Sequence, residues 1–200
     1  MPILETTRLR LIPATMQSLQ AELEQFHPAR ARDDVAGHRL AAALGVHVPD
    51  NWPPELYDRD PIEFTMRRLQ QVPEDDGWWL HYFVQKATAD EPETAVGCGG
   101  YKGGPSENGS VEIGYSVLSQ FRRRGYAAEA TRALVENAFN KPGVTSVTAE
   151  TYPELLPSVG VLVKCGFVLT GPGSAERVIR YELTRYAWHH ANPVRKQQHT

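Results

Sequence analysis

Cysteine is scarce in this chain: Cys98 and Cys165 are the only two, and they form no CxxC pair. Nothing therefore suggests a disulfide framework, and a reducing compartment is the natural setting. The seven histidines show no HExxH or comparable ligand spacing, and His189-His190 sit by the C-terminal tail, so no metal site is indicated. Long apolar runs are missing as well. Charges at Glu5, Arg8 and Arg10 leave the N-terminus without a signal-peptide core or a membrane span, which predicts a cytoplasmic protein with no membrane partner. Nor does one sign of charge dominate: 21 Lys and Arg stand against 24 Asp and Glu, a formal charge of −3 that gives no broad reason to expect nucleic acid. No internal repeat is present.

What is present is a globular balance of 41% hydrophobic and 22% charged residues over 200 positions, enough for one ordinary domain. The expected organisation is a single domain over residues 1–190 and a flexible tail over 191–200, where Arg195, Lys196, Gln197 and Gln198 show no apolar period. Arg8 to Ile12 alternates polar and apolar residues and stops at Pro13, a first strand with Leu9 and Leu11 facing a core. Thr15 can cap a helix carrying Met16, Leu19, Leu23 and Phe26 at helical spacing. A second helical run begins near Asp33 and Asp34, uses Ala36, Leu40, Ala43 and Leu44, and ends at Gly45. Trp52, in a proline-rich excursion, either packs on the domain or marks a binding surface, and packing is the commoner fate of tryptophan. Asp60-Pro-Ile-Glu63 has the form of a capping box that opens a third helix.

Residues 78–86 and 94–101 read as a hairpin, and its aromatics Trp78, Trp79, Tyr82 and Phe83 fit a core better than a pocket wall. Residues 111–117 form a further strand with Glu112 and Ser116 on one face and Ile113, Tyr115 and Val117 on the other. From Gly125 the period becomes helical through Ala127, Ala130, Leu134 and Ala138, stopping at Asn140-Lys-Pro-Gly143. Residues 144–151 return to strand, 158–165 fit a short helix, and 167–170 with 177–183 complete a sheet. Alternation of strand and helix after Val111 indicates an α/β architecture without fixing strand order.

The stretch Gln120 to Ala130 carries the chemistry. It lies between a strand and a helix, and a helix start leaves backbone N–H groups without partners at the positive end of the peptide dipoles, where a pyrophosphate can be held. Gly125 and Ala127 keep the approach open, and Arg122, Arg123 and Arg124 add positive charge. A plain helix start with an exposed basic cluster would look the same in isolation.

The neighbourhood alters that balance, because Arg122-x-x-Gly125-x-Ala127 resembles the Gln/Arg-x-x-Gly-x-Gly/Ala signature of the GNAT N-acetyltransferases. Glu112-Ile-Gly-Tyr115, Tyr126-Ala-Ala-Glu-Ala130, the run from Leu4 to Pro13 and Lys164-Cys-Gly-Phe167 are similar to the branch that acetylates ribosomal-protein N-termini. The likeness spans most of the chain and is thinnest from Ala29 to Trp79, where substrate selection usually lies. It implies a mixed, mostly antiparallel sheet of about seven strands with helices on both faces, and a V-shaped splay between the fourth and fifth strands. Acetyl-CoA would enter that gap, with pantetheine along Val117 and the pyrophosphate over Arg122, Arg123, Arg124, Gly125, Tyr126 and Ala127.

The resemblance also implies roles. Acyl transfer to an amine needs a base for the amine proton, and Glu112 matches the position where related enzymes often carry a glutamate; a solvated or ion-paired strand glutamate is the plain alternative. The departing thiolate needs a proton donor. Much of the superfamily uses a tyrosine where this chain has Leu162, whereas Ser158 matches a serine of the ribosomal-protein branch, with a helix N-cap as its plain role. Leu155 replaces an asparagine that usually bonds the cofactor arm. The expected activity is acetyl transfer to a protein N-terminus or small amine, with a noncatalytic acyl-CoA sensor as the alternative. Homodimers are common among similar proteins.

Overall fold

The computed structural model describes residues 2–26, 35–71 and 78–192. Among the described residues eight strands form one sheet in the order β1-β2-β3-β4-β5-β6-β8-β7. In chain order they are β1 (Leu4–Glu5), β2 (Leu9–Pro13), β3 (Leu80–Gln85), β4 (Thr94–Tyr101), β5 (Ser110–Val117), β6 (Ser146–Thr151), β7 (Val168–Pro172) and β8 (Ile179–Thr184). Every neighbouring pair is antiparallel except β5 and β6. The count is eight against about seven expected. The extra strand is the two-residue β1, too short to show a period.

Among the described residues six α-helices accompany the sheet: α1 (Met16–Leu23), α2 (Val35–Leu44), α3 (Arg59–Gln71), α4 (Tyr126–Phe139), α5 (Leu156–Lys164) and α6 (Arg185–Ala191). The alternation along the strands sorts the core into two layers. On one face Leu9, Leu11, Phe83, Val111 and Ile113 pack with Ala130, Leu134 and Ala138 of α4 and with Leu162 of α5. On the other, Tyr82, Val84 and Cys98 pack with Leu19 of α1, Leu40 of α2 and Ile62 of α3. Burying each large apolar side chain contributes about 1.5–3 kcal/mol, so these two layers hold the helices to the sheet. Trp78, Trp79, Tyr82 and Phe83 are all buried, as the strand pattern implied.

Several helix starts differ from the sequence reading. The Thr15 cap is present, reinforced by Ser18, whose side chain accepts from the Thr15 amide. α3 begins at Arg59, so Asp60-Pro-Ile-Glu63 is not its capping box; Asp58 Oδ1 accepts from the Asp60 amide at 3.2 Å, and Glu63 pairs with Arg59 instead. α5 begins at Leu156, before Ser158, with Pro157 in its first turn and Leu155 at the N-cap. Ser158 is therefore inside the helix and is not its cap. α6 occupies a stretch to which the sequence assigned no element, and the Thr184 hydroxyl caps it. Asp33 and Asp34 lie outside the described residues, as does the expected tail beyond Asn192.

Candidate active site

β5 and β6 pair in parallel only from Ser110↔Ser146 to Ile113↔Ala149, after which β5 runs on to Val117 while β6 stays with β8. The splay lies between the fifth and sixth strands, one later than expected because β1 comes first. Strand alternation decides what faces it. The Glu112 carbonyl accepts from the Lys102 amide and the Leu118 amide donates to the Val96 carbonyl, so even-numbered residues turn their backbone groups toward β4. Those of Ile113, Tyr115 and Val117 turn the other way, and Ile113 is the last with a β6 partner. Tyr115 and Val117 thus open their main chain onto a cleft of about 670 Å³ that Leu155, at the α5 N-cap, closes with Ser158, Gly160 and Val161 of α5.

The start of α4 forms the far end of this cleft. Gly125 is the N-cap with φ 87°, a left-handed conformation that favours glycine, and no side chain caps the helix. Since Glu129 N–H makes the bond to the Gly125 carbonyl at 3.0 Å, the amides of Tyr126, Ala127 and Ala128 have no acceptor within the helix. Arg8 of the β1–β2 turn holds this end in place: its Nη1 donates to the Arg124 carbonyl at 2.8 Å and its Nε to Glu129 at 2.8 Å. Burial pushes the Glu129 carboxyl up, but hydrogen bonds from Thr6 and Arg8 outweigh it and hold the group below its ordinary value.

The three arginines have different tasks. Arg122 lines the cleft and also fastens the strand end, donating from Nε to the Val117 carbonyl at 3.0 Å and from Nη2 to Glu55 at 3.0 Å. The Arg124 guanidinium lies 5.4 Å over the Phe121 ring. Arg123 lines the cleft, and among the described residues it makes no ion pair. Tyr126 sends its side chain into the core, donating to Gln85 at 2.8 Å, and meets the cleft through its backbone.

Ser158 does line the cleft. Tyr115, which the sequence placed with Ile113 and Val117 on one face of β5, reaches it there: the phenol donates to the Ser158 carbonyl at 3.2 Å and lies 3.4 Å from Ser158 Oγ. Burial pushes the Tyr115 phenol well above its ordinary range, and the Ser158 contact offsets only part of that, so the phenol keeps its proton. Leu162 is buried in the core, away from the cleft, whereas Leu155 is on its wall. Glu112 lies outside the cleft lining, ion-paired with Lys102, on the same face as Ser116.

Glu22 is a feature the sequence reading missed. It is fully buried and accepts from Trp52 Nε1 at 2.7 Å, Tyr57 at 3.1 Å and Tyr82 at 2.8 Å. Burial raises its pKa to about 7 against the lowering effect of those three donors. The signal was its spacing, three residues after Leu19, which puts an acid on an apolar helix face. Trp52 accordingly packs and does not mark a surface. A second, polar groove of about 490 Å³ adjoins the α4 start and is lined by Arg8, Arg124, Arg132 and Lys164. Among the described residues no three His, Cys, Asp or Glu side chains are grouped to hold a metal ion.

The sheet thus parts beside its parallel pair into a cleft with an uncapped helix start at one end and the Tyr115–Ser158 hydroxyl pair on its wall. The chain belongs to the GNAT acetyltransferase family, whose domain description matches residues 15–168, and it is an acetyl-CoA-dependent acyltransferase. The uncharacterized N-acetyltransferase YjdG of Bacillus subtilis strain 168 is 30% identical over 169 residues, covering 84% of this chain and 91% of that protein. Two solved structures share the fold at lower identity. RimL, a ribosomal L7/L12 α-N-protein acetyltransferase in complex with coenzyme A, aligns over 92% of this chain and 98% of its own at TM-score 0.59 and 14% identity. Spermidine N-acetyltransferase of Vibrio cholerae, in complex with CoA and spermine, aligns over 92% and 99% at TM-score 0.59 and 12% identity. Among the described residues no helix is long and apolar enough to cross a membrane.

Proposed function

We propose that this chain transfers an acetyl group from acetyl-CoA to a primary amine, on a protein N-terminus or a small molecule, by direct attack with both substrates bound. The observation that carries the reading is the meeting, in one cleft, of the open Tyr115–Val117 edge, the bare amides at the start of α4 and the Tyr115–Ser158 hydroxyl pair. These residues fit a long diphosphate-bearing thioester. Ala127 leaves room beside the helix start, where the Tyr126, Ala127 and Ala128 amides would hold the pyrophosphate, aided by Arg123. The exposed edge offers the Tyr115 main chain and the Val117 amide as partners for the pantetheine arm, the Val117 carbonyl already accepting from Arg122. When bound, acetyl-CoA supplies an activated acetyl group; the protein supplies position and protons.

Ser158 is the proton donor to the departing sulfur. The Tyr115 phenol is turned to the Ser158 carbonyl, which leaves the serine hydroxyl its own proton. Glu112 receives the proton of the incoming ammonium through water. It stands on the same face as Ser116, and Gly114 between them carries no side chain, with only Lys102 Cε near its missing Cβ at 3.9 Å. Both acceptor classes, peptide N-termini and polyamines, occur among proteins of this fold, which supports an amine and leaves its kind to the acceptor side. A reducing cytoplasm suits Cys98 and Cys165, both free and buried.

The test is thiol release from acetyl-CoA across a panel of peptides and amines. Turnover with an amine acceptor is expected, and CoA binding with no turnover on any acceptor overturns the reading. Glu112→Gln is expected to lower kcat with the CoA Kd unchanged; equal activity at every pH removes Glu112 from the mechanism.

A further inference from the structure

The loop between α2 and α3 reaches the cleft from the face opposite α4 and α5, and it is fastened at four points. Trp52 and Tyr57 are drawn inward onto Glu22. The Asn51 and Gln120 side-chain amides bond each other twice at 2.8 Å. At the rim, Ser116 Oγ donates to the Glu55 carbonyl at 2.7 Å, and Arg122 pairs with the Glu55 carboxylate. Between the rim anchor Glu55 and the buried Tyr57 stands Leu56. It adopts φ 61°, a left-handed conformation that side chains rarely adopt, remains 81% exposed, and lines the cleft.

An apolar side chain held in unfavourable backbone geometry, exposed at a cleft mouth by anchors on both sides, is poised for an apolar ligand group. We propose that Leu56 is the specificity-determining residue of the acceptor side, selecting a primary amine whose amine-bearing carbon carries an apolar substituent. This rests on the amine-acetylation reading above. Leu56 comes from the Ser116 face of the sheet, while the α4 start and Ser158 lie on the other, so a group packed on it belongs to the acceptor. Charge argues against a polycation. Glu55, the acid lining this mouth, is already paired with Arg122, and Glu112 further along β5 is paired with Lys102.

The test compares leucinamide, glycinamide and spermidine as acceptors for the unaltered chain and for Leu56→Asn, a polar residue that tolerates the left-handed backbone. Leu56→Gly serves as a second variant that relieves the backbone. The unaltered chain is expected to favour leucinamide, and either variant to reduce its kcat/KM advantage over glycinamide by roughly tenfold. The CoA Kd should stay constant, and calorimetry on the CoA-bound protein should show leucinamide binding weakened in parallel. Preference for spermidine or glycinamide by the unaltered chain, or equal losses for leucinamide and glycinamide, overturns the proposal and leaves amine acetylation standing. Absence of turnover with every amine overturns both.

Discussion

Glu22 and His81 are two buried titratable groups whose effects on stability oppose each other, and replacing one exposes the other. Burial raises Glu22 from an ordinary 4.5 to about 7, so the folded protein keeps a proton that the unfolded chain releases. Unfolding free energy therefore falls as pH rises through that window. His81 works the other way. Burial lowers it from 6.5 to about 4, partly offset by its hydrogen bond with the Trp79 carbonyl, so the ring stays neutral while the unfolded chain takes up a proton below 6.5. Its contribution is present above 6.5 and is lost as pH falls toward 4. One pKa unit corresponds to about 1.4 kcal/mol, so between pH 5 and 6.5 each group contributes a change of about 2 kcal/mol of opposite sign. The unaltered protein is expected to show a nearly flat stability profile there. Glu22→Gln keeps a similar shape, can still accept from Trp52, and removes the falling term. Urea unfolding of this variant at several pH values is expected to show stability rising by about 2 kcal/mol from pH 5 to 6.5 at constant m-value. Parallel profiles for the two proteins would refute the assignment of a proton to buried Glu22.

Three further variants test the cleft. Ser158→Ala is expected to lower kcat by about a hundredfold with little change in CoA Kd, and Tyr115→Phe by a smaller factor, both read by thiol release; an unchanged kcat in Ser158→Ala removes the serine from proton donation. Ala127→Phe puts a ring where the diphosphate would lie. If overpacking there costs about 1–3 kcal/mol, the CoA Kd measured by calorimetry rises roughly five- to 150-fold while the fold is kept, and an unchanged Kd moves the pyrophosphate elsewhere.

Much of the architecture was legible because it depends on neighbours in sequence. The β5 alternation and the helical period after Gly125 are local, and the strand, helix and turn they predicted are present. The caps were less legible. Asp60-Pro-Ile-Glu63 satisfies the capping-box pattern, but the chain enters α3 two residues after Tyr57, whose burial against Glu22 sets where that helix begins. The three adjacent arginines looked equivalent, and only the position of Glu55 and the Val117 carbonyl showed that Arg122 is occupied.

The sequence alone determined the open helix start at Gly125, since a glycine N-cap and the small Ala127 exclude side chains by their own covalent structure. It also determined which residues of β5 share a face, because strand side chains alternate. Tertiary structure decided that Tyr115 meets Ser158, that Glu22 gathers Trp52, Tyr57 and Tyr82, and that Leu56 stands at the cleft mouth. Each of these joins residues 30 or more positions apart or depends on a loop fixed by such contacts, and no local period encodes where two distant segments come together.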